Sequence, residues 1–236
     1  MKSIAEGLDD INKDLREVET HVNAKKDLER IHKDNQFNRR FSNLLGAFSD
    51  LDAVGRRLED NISKVEDLNR KIQARFKLED KDQIMEEGQR LHRESDKINH
   101  QNQADFKSLY FFAKIFSDKY TALLRFLFNW RGIGDKSVTN FYNDLEKYKD
   151  DDPQVILFKE ACLNRLRAID IFITQYRDKY IANDQTGHKE TKWFMTDMEG
   201  GVRFIGGRSS ITPKDLIFVV SGYISDTAKF VQSNLY

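Results

Sequence analysis

The sequence predicts an all-α protein: a helical bundle with one small β-hairpin, preceded by long coiled-coil-like helices. Three observations predict it. Apolar residues recur every three or four positions over most of the chain. Only two prolines occur in 236 residues, so little interrupts helix. One late stretch, about 191–206, changes to short β-prone runs around paired glycines.

The first element starts at Ile4, and Leu8, Ile11, Leu15, Val18 and Val22 make a narrow seam with charged residues between. Leu28 and Ile31 extend it until Asp34-Asn35-Gln36 weakens the pattern. A second run holds Phe41, Leu44, Phe48, Leu51, Leu58, Ile62, Val65, Leu68 and Ile72, with a break expected near 77–82. Two antiparallel helices would let these seams bury each other. Ile84 to His100 is helical in propensity but poor in apolar residues, and reads as a solvated face or connector. Residues 1–100 thus form one expected region, built for packing.

A composition shift at about Gln101 opens the second region, 101–236. Phe106, Leu109, Tyr110, Phe112, Phe116, Tyr120, Leu123, Leu124 and Leu127 make a stripe wide enough for a central helix with neighbours on two sides. Arg131-Gly132-Ile133-Gly134-Asp135 reads as a loop with Gly132 as the helix stop. Ser137 suits an N-cap for the next helix, and Asp152 caps another that has Pro153 at its first position. That helix is expected to run from Pro153 to Ala182. Trp193–Thr196 and Val202–Ile205 flank Glu199-Gly200-Gly201 as the hairpin. Thr212, Pro213 and Asp215 then start a closing amphipathic helix.

Composition narrows the chemistry. The two charge signs cancel to a net of zero, so any nucleic-acid binding must come from a local patch. A lone cysteine, Cys162, excludes an intrachain disulfide and is compatible with a reducing cytosol. Even the richest apolar stretch, Leu109–Phe128, carries Lys114, Asp118, Lys119 and Arg125, and the N-terminus lacks a signal peptide's apolar run. The plain expectation is a cytoplasmic protein with no membrane partner. His21, His32, His92, His100 and His188 lack metal-ligand spacing, and no phosphate-loop or dinucleotide motif occurs, so neither metal nor cofactor is expected.

The stretch that stands out chemically is Arg177-Asp178-Lys179-Tyr180-Ile181-Ala182-Asn183-Asp184, an Arg-Asp pair set in an apolar helix near its end. A buried guanidinium is costly unless paired, so Arg177 needs a partner or a groove. The stretch resembles the signature of HEPN domains: an arginine, a polar residue, four to six residues, then histidine. Arg177 and Asp178 match, and Asn183 stands at the histidine position. The resemblance covers about 101–236 and implies a HEPN-like bundle of the abortive-infection or toxin–antitoxin type. It implies a homodimer acting on RNA, an antitoxin protein as partner, and metal-independent endoribonuclease chemistry. Arg177 would contact phosphate, Asp178 would orient it, and Asn183 would occupy the base position. Lys179 and His188 would serve RNA binding. Asparagine does not titrate near neutral pH, so the resemblance implies impaired cleavage with binding retained. Read from the residues alone, the chain is equally a non-enzymatic helical interaction module with a coiled-coil N-terminal region. In that reading Asn183 simply ends a helix whose dipole favours Arg177 and Lys179.

Overall fold

A computed structural model describes residues 2–75, 81–130, 132–134, 136–149, 152–175, 194–196, 202–204 and 212–236. Helix α1 (Ile4–Ala24) buries Ile4, Leu8, Ile11, Leu15, Val18 and Val22, the seam read from its spacing. Ser3 and Glu6 close a capping box at its start. The carboxylate of Glu59, far along the chain, also accepts the amides of Ile4 (3.0 Å) and Ala5 (2.8 Å). A side chain of one helix thus satisfies the free amides of another and fixes their antiparallel register.

A short α2 (Glu29–His32) and a 3-10 turn (Lys33–Asn35) lead into α3 (Gln36–Arg75), which is followed by α4 (Lys81–Phe128). At 1.5 Å per residue these span about 60 and about 72 Å. They run antiparallel, as the pairs Arg57–Asp105 and Phe48–Phe116 show. The break expected near 77–82 falls between them. The stretch over 84–100, expected as a solvated face or helical connector, is helical and belongs to α4, which continues past residue 100. One hydrophobic core draws residues from Ile4 to Leu235.

Pairing differs from the expectation that the first two seams bury each other. The main partner of α3 is α4, and that of α1 is α7 (Pro213–Asn234). Helices α1 and α7 run parallel: Gly7 faces Ile217 near their starts and Glu17 meets Gln232 near their ends. A Cβ at Gly7 would stand 2.6 Å from the Ile217 side chain, so glycine permits this close approach.

Helix α6 (Pro153–Ile169) covers the other side of α7, and α5 (Val138–Lys147) packs on α6 and α4. Ser137, Asp152 and Thr212 cap α5, α6 and α7 as their sequences suggest. Gly132 does not stop α4. Asn129, in the left-handed region at φ 54°, does so, and Gly132 turns the loop that follows. Phe128 and Trp130 stack at 4.9 Å, and Phe141, Phe158 and Phe230 surround the indole.

The fold class needs a correction. An all-α bundle decorated by a β-hairpin and preceded by separate long helices is not what forms. Among the described residues the architecture is a helical bundle with no β layer, and the long N-terminal helices are walls of it. The only extended pairing among the described residues is Phe194–Thr196 with Val202–Phe204. Three residues a side make no independent element, and the residues joining them lie outside the described ones, so no hairpin is counted in the fold.

Candidate functional site

The helix expected over Pro153–Ala182 keeps α-geometry only to Ile169 and then widens into a π-helical turn, Asp170–Gln175. Asp170 accepts a hydrogen bond from Thr139 Oγ1 at 2.7 Å, which ties this turn to α5. Arg177, Asp178, Lys179, Asn183 and His188 all lie outside the described residues. Among the described residues no cluster of His, Cys, Asp or Glu could hold a metal ion, and no helix is long and apolar enough to cross a membrane.

Three other regions have site-like features. A groove of about 570 Å³ follows the outer face of α7, between α1 and Arg165 of α6. Its floor is Ser221, Gly222 and Ser225, and Arg165 lies over Gly222 to donate to Asp226 at 2.8 Å. On the α1 wall Lys2 pairs with Asp10 at 2.6 Å. Burial, then the neighbouring carboxylates of Glu17 and Asp10, push the Asp14 carboxyl up. The walls are largely self-paired, so the groove offers shape and little net charge.

Behind α7, Cys162 is buried among the core helices and its thiol is pushed up to about 12 by burial. At that value the thiol stays protonated near neutral pH. Tyr120, buried beside it and hydrogen-bonded to Thr227 at 2.9 Å, is raised by burial as well.

The third region is the α3–α4 pair beyond Glu59, where α1 begins. From there about 16 residues of α3 and over 20 of α4 continue as a two-helix arm, reaching about 24 Å past the start of α1. At its base Arg57 holds Asp105 with two hydrogen bonds, 2.9 and 2.5 Å. Next come buried Asn61 and Asn102; by the Arg57–Asp105 register they face each other. Both amide atoms of Asn102 and the Asn61 amide nitrogen have no hydrogen-bond partner among the described residues. Farther out Leu68, Ile72 and Leu91 form a small cluster separate from the main core, with Ile98 packed against it.

Compared with family models, curated proteins and solved structures, the chain matches none.

Sequence reasoning missed the polar layer because it counted only apolar residues. The seam keeps strict spacing if Leu58, Asn61, Val65, Leu68 and Ile72 are read together, with Asn61 rather than Ile62 at the inner position. Leu91, Ser95, Ile98, Asn102, Asp105 and Leu109 do the same on α4. Polar residues at inner positions of a helical pair specify register at a cost in stability.

Proposed function

We propose that this chain is a non-enzymatic helical interaction module whose binding element is the α3–α4 arm. One observation carries the reading: two helices continue about 24 Å past the start of α1, and among the described residues they enclose Val65 and a small apolar cluster behind a polar layer. An arm with so little core contributes little to folding the bundle. Its exposed faces carry Lys64, Arg70, Arg93, Glu94, Asp96 and Lys97, a mixed surface suited to a partner helix or domain. The test places a photo-crosslinking residue at Lys64, Arg93 or Lys97 in the full chain, with Asn164 on α6 as the control. The same partner should be captured from the arm sites and not from Asn164, and Lys64→Glu/Arg93→Glu should abolish capture with unchanged thermal unfolding. Capture from Asn164 alone, or none from the arm, rejects the proposal.

A second reading keeps the HEPN-like resemblance, with a homodimer acting on RNA and restrained by an antitoxin. The π-helical turn supports it, since such turns occur often at functional sites and this one lies just before Arg177. RNA cleavage by the chain, by Asn183→His and by Arg177→Ala in the Asn183→His background decides it. Cleavage gained with histidine and lost with alanine supports the reading; three equally inert, folded proteins reject it.

A further inference from the structure

We infer that the end of the bundle opposite the arm is a binding surface for the sugar-phosphate backbone of a nucleic acid. The sixteen residues 25–40 contain six cations, Lys25, Lys26, Arg30, Lys33, Arg39 and Arg40, against the three carboxylates of Asp27, Glu29 and Asp34. In a chain of zero net charge this leaves a local excess of three positive charges.

The fold gathers these cations at one place. His32 Nε2 lies 3.1 Å from the Lys25 carbonyl oxygen, which brings the end of α1 beside α2. Arg39 donates to the Asp34 carbonyl at 3.3 Å. The guanidinium carbons of Arg30 and Arg40 stand 5.5 and 4.7 Å from the centre of one ring, Phe126 of α4.

Two observations separate this surface from an ordinary solvated face. First, none of its six cations forms an ion pair among the described residues, although ion pairs recur along α1, the rest of α3 and α4. Second, local folding does not call for these charges. The first turn of α3 has no acidic residue, and Arg39 sits within it, where a positive charge opposes the helix dipole. Arg30 has a structural task, donating to the carbonyls of Phe126 and Leu127 at 2.7 Å each. Lys26, Lys33 and Arg39 are exposed; among the described residues Lys26 and Lys33 have no such task, and Arg39 makes the 3.3 Å bond to the Asp34 carbonyl. Planar guanidinium groups match phosphate oxygens in pairs, and arginines held over an aromatic ring lose little freedom on binding. Apart from Leu28, half-buried against the core, no apolar residue of 25–40 is available to enter a bilayer, which favours nucleic acid over a lipid surface.

The test titrates the full chain into a labelled single-stranded RNA of about 20 nucleotides, and into anionic phosphatidylserine vesicles. Contact with about four phosphates gives a log–log salt slope near −2.8, or about a 50-fold loss of affinity between about 50 and about 200 mM salt. Lys26→Glu/Lys33→Glu/Arg39→Glu should weaken RNA binding at least tenfold and flatten the slope by about 2, with thermal unfolding unchanged. Lys64→Glu/Arg93→Glu on the arm should leave RNA binding intact, so failure here is distinct from failure of the arm as an interaction element. No RNA binding at the lower salt, equal binding by the triple variant, or binding to vesicles alone overturns the inference.

Discussion

The bundle and the arm are made from the same two helices and obey different rules. Between Phe37 and Leu58, α3 meets α1 and α4 across a continuous apolar interior; beyond Glu59 it has an inner face interrupted by Asn61 and Asn69. On α4 the interval from Phe106 to Phe128 buries many large aromatic and aliphatic side chains around Lys114, Ser117 and Thr121, while Ser95, Asn102 and Asp105 occupy inner positions nearer the arm with few large side chains beside them. The bundle gains stability by burying large side chains from six helices, α1 and α3 to α7. The arm gains correct alignment from polar layers and gives up stability for it. Helical continuity therefore does not imply uniform stability along a helix.

The largest effect should come from the aromatic nest. Phe158, fully buried against Trp130, Phe141 and Phe230, should lose about 4 kcal/mol of global stability on Phe158→Ala. Leu91→Ala in the arm should cost distinctly less in the same denaturant titration, about 1 to 2 kcal/mol, because the small cluster can collapse. Equal losses would mean that arm and bundle unfold as one unit. A middle effect should follow Arg57→Ala, which leaves the buried Asp105 carboxylate without its guanidinium. Because the arginine is half exposed, about 2 kcal/mol is expected, measured by denaturant unfolding at neutral pH. If the loss is negligible, the pair does not anchor the arm. The smallest effect should be a gain: Asn102→Leu removes two unpartnered buried polar atoms and should stabilise the arm by about 1 kcal/mol. Hydrogen exchange would show it as slower exchange confined to the arm's amides, and a slowing spread over α1 and α7 would contradict the comparison.

Much of the fold could be read from local pattern. The α1 seam, the break between α3 and α4 and the caps Ser137, Asp152 and Thr212 rest on neighbours in sequence, where spacing and side-chain chemistry suffice. Which seams pair was not legible, because the α1–α7 contact depends on a glycine fitting one isoleucine more than 200 residues away. The continuity of α4 was hidden by Ser95, Asn102 and Asp105, polar residues doing the packing work of apolar ones. The candidate residues from Arg177 to His188 lie outside the described residues, so their legibility is a matter for the cleavage assay. The basic segment is visible as six cations against three carboxylates in sixteen residues. That they share one end of the bundle depends on Phe126, about ninety residues away, receiving Arg30 and Arg40 on its ring.

The unbroken course of α4 has a mechanical consequence. One end of this rod forms half of the arm, and the other carries the Phe126 ring and the carbonyls gripped by Arg30. With no proline or kink to absorb a twist, rotation imposed at the far tip is delivered to the two guanidinium groups at the opposite pole. Occupants of the two poles would then sense each other through the stiffness of a single shaft.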